Sequence, residues 1–414
     1  MKARHLPAIA CLAVCCSLLG LGRPASATTR HMFVSSTSGT ANLGAWPRAG
    51  SATGLAAGDA ICQSLATDAG LADATGYRAW LSSATTDAFC HVQGFTGQRA
   101  NNCGQASLPT AAGPWRRVDG TNFGASIVEL LAPSLEVFLP PRIDENGNVH
   151  HALVWTGTDS SGAAGSGTCS NWTTASAGAN GNVFGATDAT SWTWASSGTT
   201  DCAEILHLLC FERGAGDPLP PPATWGRLAF VSSVSRPGDL GSWPEADGAT
   251  GIDAGDAICG ALATAAGLRE PESFKAWLSD SSVDARDRFQ FDGPWVRLDR
   301  TRIATGLADL TDGFLHAPIN LTETGSYLSN DSVWTGSTAD GLAAADTCSD
   351  WTSLASPDQA PVGAANFSSS RWSDYFSAQL CNQNARLYCL QDLPLVFEDD
   401  FESGNTAVWS AASP

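Results

Sequence analysis

Reactive chemistry in this chain is concentrated in its cysteines. There are 13, and Cys11, Cys15 and Cys16 fall in an apolar N-terminal stretch, which leaves ten. Eight of these form two matching sets: Cys62, Cys169, Cys202 and Cys210, then Cys259, Cys348, Cys381 and Cys389. Thiols can pair as disulfides or bind a metal as thiolates, and an even number in an exported chain favours disulfides. Four cysteines allow three pairings, and sequence alone does not choose among them. A nested arrangement suits each set. Cys62 with Cys210 would tie the first helix to the last strand while Cys169 with Cys202 closes a surface loop. Copy two would pair Cys259 with Cys389 and Cys348 with Cys381. The remaining two, Cys90 and Cys103, have no counterparts. Between the Trp80/Trp277 pair and the Trp115/Trp295 pair the offset between copies falls from 197 to 180, so copy one carries 17 extra residues. Both unmatched cysteines lie there and are expected to staple that insertion, contributing on the order of 3 kcal/mol in the chain-entropy view.

Other chemistry is harder to find. His150-His151 is an adjacent pair. Neighbouring residues of a strand face opposite ways, so the pair is a poor bidentate metal site. No Ser or Cys nucleophile stands beside a matching His in both copies, and no carboxylate pair is singled out by spacing. The expectation is a non-enzyme. A cell-envelope hydrolase with an unrecognised carboxylate site and a purely structural surface protein are the alternatives.

The elements that carry the cysteines are duplicated. Gly58-Asp59-Ala60-Ile61-Cys62 returns as Gly255-Asp256-Ala257-Ile258-Cys259, and Val154-Trp155-Thr156-Gly157 as Val333-Trp334-Thr335-Gly336. Repeats this long are whole domains rather than solenoid units. Each opens with a short strand, Met32–Ser35 or Ala229–Ser232, followed by a helix. In copy two Asp253 is expected to cap that helix, Ala257, Ile258, Leu262 and Ala265/Ala266 to form its apolar face, and Gly267 to end it. In copy one the helix ends at Gly70. His207–Phe211 and Arg386–Leu390 read as closing strands, and Trp80, Trp115, Trp155, Trp277, Trp295 and Trp334 as core.

Residues 1–27 read as a secretory signal, with Lys2 and Arg4 before the apolar stretch and Ala25-Ser26-Ala27 as the cleavage site. A lipoprotein reading is weaker, because Val14 stands where a small residue belongs before Cys15. Domain one spans 28–214, a proline-rich linker 215–225, domain two 226–391 and an acidic-aromatic tail 392–414. No other stretch is apolar enough to span a bilayer. The net charge of −19 becomes −22 once the three positive charges of the leader are set aside. Such a chain repels nucleic acid, heparin-like polyanions and anionic membranes. The chain is expected to be secreted or at the cell surface, where Asn171, Asn320, Asn330 and Asn366 begin glycosylation sequons that matter only in a glycosylating host.

The combination of Arg78-Ala79-Trp80-Leu81-Ser82, Val154-Trp155-Thr156-Gly157, Thr168-Cys169-Ser170-Asn171-Trp172 and Leu209-Cys210-Phe211-Glu212, with counterparts in copy two, resembles the C-type-lectin-like fold. The match is nearest its endostatin-like branch and a bacterial family of endostatin-like secreted domains. The resemblance implies an α+β class: two tandem, loop-rich domains with nested disulfides, a small helix pair and twisted antiparallel sheets. It also implies recognition of a glycan or an extracellular protein through long loops. The loop from Trp155 to Trp172, matched by Trp334 to Trp351, is then the best surface, with Asp159, Trp172, Asp340, Asp346, Asp350 and Trp351 as candidate contacts; the Cys90–Cys103 loop is the other. Calcium-dependent lectins of this fold carry a Glu-Pro-Asn or Gln-Pro-Asp triplet, absent here, and a Trp-Asn-Asp triplet, echoed only by Trp372-Ser373-Asp374. Calcium wants six to eight oxygens, so Asp374 is a weak candidate and no cofactor is expected. The tail around Phe397–Gly404 looks like one that recurs on bacterial exported proteins, which implies a sorting or attachment role.

Overall fold

The computed structural model describes residues 28–178, 181–222, 224–375 and 377–393. The predicted leader and nearly all of the predicted tail lie outside them.

The fold class is α+β, with two similar, mostly-sheet domains. In copy one the strands are β1 (Arg30–Val34), β2 (Tyr77–Ala79), β3 (Trp115–Arg117), β4 (Asn122–Gly124), β5 (Leu153–Trp155), β6 (Asn182–Ala186), β7 (Gly198–Thr200) and β8 (His207–Glu212). In copy two they are β9 (Arg227–Val231), β10 (Phe274–Ala276), β11 (Trp295–Val296), β12 (Arg302–Ala304), β13 (Ser332–Trp334), β14 (Gln359–Ala364), β15 (Ala378–Leu380) and β16 (Arg386–Gln391). The orders match: β4-β3-β1-β8-β5-β6-β7 with β2 on β8, and β12-β11-β9-β16-β13-β14-β15 with β10 on β16. The closing strands are central. Five consecutive residues are buried in each, as expected of strands covered on both faces. The sheets are mixed, not antiparallel throughout: β1 runs parallel to β3 and β5 parallel to β8. Parallel neighbours need long crossovers, which the helix and the extended loops supply.

One 15-residue helix lies on each sheet, Gly54–Asp68 in copy one and Gly251–Ala265 in copy two, and the second member of the implied pair is a single turn, Ala88–His91 or Ala285–Arg288. Asp253 does not cap. Thr250 precedes the helix without a side-chain bond, and Asp253 sits in the first turn, where its charge favours the helix dipole. The buried face is Ala254, Gly255, Ile258, Cys259, Leu262 and Ala263, so Ala257 and Ala265 fall off it. Gly70 and Gly267 follow the helices at φ 68° and 69°. The repeated Asp59 and Asp256 accept the backbone N–H of Ala79 and Ala276 at 3.0 and 2.9 Å, locking helix to strand.

The disulfides are Cys62–Cys210, Cys169–Cys202, Cys90–Cys103, Cys259–Cys389 and Cys348–Cys381. Trp80, Trp115, Trp155, Trp277, Trp295 and Trp334 are fully buried. Packing runs a little beyond the bounds read from sequence. Gly216 N–H donates to Gly113 O at 2.9 Å, attaching the start of the connector to domain one. The Asp392 carboxylate is buried against Lys275 Nζ at 2.6 Å and accepts from the Gln290 and Phe291 amides at 2.8 Å each, so this residue belongs to domain two rather than to a tail.

The two domains are joined head to head. Thr190 N–H donates to Asn366 O at 2.9 Å and Ser368 N–H to Asp188 O at 2.8 Å, around an Ala189–Phe367 bridge. Residues 188–190 correspond to 366–368 through the local offset of 178 that relates Gly185 to Gly363 and Trp194 to Trp372, so equivalent segments meet as in an isologous dimer contact. Asn366 Nδ2 bonds Thr193 Oγ1 at 2.6 Å and Asn320 Nδ2 bonds Thr190 Oγ1 at 3.2 Å. Both asparagines are fully buried, which closes those two sequons to glycosylation. Arg297, also fully buried, donates across the interface to Phe138 O at 2.9 Å.

Candidate functional site

The paired loops begin at Gly157 and Gly336. Both have φ 58°, and a Cβ would come within 2.7 Å of the Trp172 ring in copy one and 2.6 Å of the Trp351 ring in copy two. The Val-Trp-Thr-Gly motif therefore needs its glycine, both for the left-handed backbone and for contact with the tryptophan.

Each loop ends in a turn of unusual backbone. Cys169, Ser170, Asn171 and Trp172 have φ from 47° to 67°, and Cys348, Ser349, Asp350 and Trp351 from 50° to 63°. Left-handed conformation costs an L-residue about 1–2 kcal/mol, so four in a row persist only where the surroundings enforce them. The enforcing contacts are visible. Cys169 and Cys348 are held by disulfides, and the buried Trp172 and Trp351 indoles donate to Ser82 O and Ser279 O at 2.7 and 2.8 Å. In copy two Asp350 accepts the Ser281 hydroxyl at 2.7 Å and the Ser281 amide at 2.8 Å. These two bonds, the hydroxyl first, hold its carboxyl below the ordinary aspartate value. In copy one Asn171 Oδ1 takes the Ala84 amide at 2.7 Å.

The candidate residues thus divide. Trp172 and Trp351 are 0% exposed, which makes them pins of the loop rather than surfaces for a ligand. Asp159 is occupied by its own turn, accepting from Ser161 N, Ser161 Oγ and Ala163 N at 2.8, 2.7 and 3.1 Å. Asp350 is committed to Ser281. Asp340 and Asp346 are exposed and accept one side-chain bond each, from Thr338 Oγ1 at 2.6 Å and Gln359 Nε2 at 3.1 Å. Ser170, Asn171 and Ser349 are exposed on the turns themselves. Asp374 is half-buried near Trp372, its N–H donating to Ser370 O at 3.0 Å. Among the described residues no group of three His, Cys, Asp or Glu is placed to hold a metal ion.

His150 and His151 face different partners, Asp144 at 2.9 Å and Asp188 at 2.6 Å. The His151 ring also packs on Phe314 of copy two at 3.8 Å between centroids, which makes it part of the domain interface. Cys90 and Cys103 are buried in the core of copy one. The left-handed turns were missed in the sequence, where the one available signal was the recurrence of Cys-Ser-(Asn/Asp)-Trp at equal spacing from the final cysteines. No helix among the described residues is long and apolar enough to cross a membrane. No family model matches the chain, and no curated protein matches it.

Proposed function

We propose that this is an exported, non-enzymatic recognition protein whose two lectin-like domains bind a glycan or an extracellular protein through their paired long loops. The supporting observation is the strained left-handed turn built into both copies and enforced by a disulfide and a buried tryptophan. A loop held in one conformation before binding loses less entropy on contact, which raises affinity for a given area. The joined domains hold two such loops at a set separation, so a ligand able to reach both gains avidity. Contact falls to the exposed Ser170, Asn171, Asp340, Asp346 and Ser349 rather than to the buried tryptophans.

The test is a glycan and matrix-protein array, run with calcium and with chelator, on the wild type and on a Ser170→Arg, Ser349→Arg variant. Binding that ignores chelator and disappears in the variant supports the reading. Binding retained with both loops blocked overturns it, as does silence on the array together with turnover of a sugar or peptide.

A further inference from the structure

We infer that the cleft between the two domains is a binding site for a small organic carboxylate, a single negative charge carried on a compact frame. A groove of about 640 Å³ opens where the β3–β4 hairpin of copy one, the Pro220–Pro222 connector and the β12 region of copy two meet. That volume lies within the ~300–1,000 Å³ usual for small-molecule sites. The inference does not rest on the loop reading, because none of the loop residues lines this groove.

Its walls are cationic in an otherwise acidic chain. Arg116 and Arg302 line it from opposite domains, and among the described residues neither guanidinium has a hydrogen-bond or ion-pair partner. Behind them Arg117 is buried and fixed by Thr121 Oγ1 at 2.8 Å, Asp119 at 2.9 Å and Pro140 O at 3.2 Å. The Thr301 hydroxyl, on the same wall, is buried with no partner among the described residues. The nearby carboxylates are already engaged, Asp119 by Arg117 and Asp309 by His316 at 3.2 Å. Leu139 and the three prolines supply apolar contact, and Asn122 Nδ2 donates to Pro220 O at 2.8 Å, tying the connector to the hairpin.

Ligand class follows from charge and shape. Planar guanidinium forks match a carboxylate in a bidentate fashion, and two unpaired ones lining the same groove favour an anion over a neutral guest. The chain's net −19 does not cancel them, because charges farther off than about 8 Å are largely screened at physiological salt. A long polyanion lying over the acidic surface outside the groove gains no such relief. A small carboxylate fits and a heparin-like chain does not.

Calorimetric titration of the oxidised protein tests this with glucuronate and phenylacetate as the two carboxylate sources. Glucose and benzyl alcohol serve as their neutral counterparts, and sulfate as a bare anion. At least one acid should bind while its neutral counterpart does not, and the preferred acid identifies the source. Arg116→Gln with Arg302→Gln should weaken binding about tenfold or more, and Arg302→Lys should weaken it less. Coincident thermal unfolding of the variants checks that folding is intact. Failure of both acids to bind, unchanged affinity in the double variant, or sulfate binding as tightly as the acids would each overturn the assignment.

Discussion

Arg297 is the side chain whose loss should cost this protein most for its size. It is fully buried, and its guanidinium serves five acceptors, the longest contact being Nη1 to Pro318 O at 3.4 Å. Nη1 donates to Asn320 Oδ1 at 2.6 Å, Nη2 to Asp299 Oδ2 at 2.7 Å and to Phe138 O of the other domain at 2.9 Å, and Nε to Asp299 Oδ1 at 3.2 Å. Arg297→Ala removes this donor from the buried Asn320 and Pro318 oxygens and the half-buried Phe138 oxygen, at about 1–3 kcal/mol for a fully buried one. Asp299 fares better, since its side chain is 20% exposed and it keeps Tyr327 Oη at 2.7 Å and Thr301 N at 3.0 Å. The total should be about 3–5 kcal/mol, the range seen when one member of a buried pair is removed. Denaturant unfolding of oxidised wild type and variant measures it. Burial by itself would raise the Asp299 pKa, but the Arg297 charge and bonds from Arg297, Tyr327 and Thr301 hold it below the ordinary value. A depressed carboxylate stabilises above its unfolded pKa, and that contribution fades as pH falls through the folded one. The Arg297→Ala penalty should therefore shrink below about pH 3–4. A cost under ~1 kcal/mol near pH 7, or one independent of pH, would refute this account of the interface.

Gly157→Ala and Gly336→Ala should each destabilise by about 2 kcal/mol or more, because the left-handed backbone and the tryptophan contact oppose the new methyl together. Thermal unfolding checks this, and unchanged melting would mean the turns relax freely. Glu212 should contribute to acid sensitivity. Burial would raise its pKa, but bonds from His31 and Arg30 hold it lower, so its stabilisation is present above the ordinary glutamate range and lost as pH falls through the folded value. Glu212→Gln should flatten the pH dependence of stability below about pH 5, and an unaltered profile would remove Glu212 from the acid transition.

Much of the framework could be read from local residues. Cysteine count and repeat offsets pointed to a stapled, duplicated chain, and tryptophans in apolar runs proved to be core. Helical spacing located both long helices but misplaced their buried faces, because Ala257 and Ala265 are as small and apolar as Ala254 and Ala263. What decides among them is which side meets the sheet. The loop candidates were legible by position and misread by role: Trp172 looks like a contact residue until its indole is found bonded to Ser82, 90 positions earlier in the chain.

The sequence by itself determined composition, duplication and the matched cysteine sets, since those are read by counting or by setting copy against copy. Only the tertiary structure decided the strand order, the four-residue left-handed turns, the head-to-head domain contact and the basic cleft. The physical reason is that their partners lie far apart in the chain. Arg297 meets Phe138 across 159 positions, and Arg116 and Arg302 face one groove from separate domains. No period or spacing encodes such meetings, which arise when burial of apolar surface folds and docks the two copies.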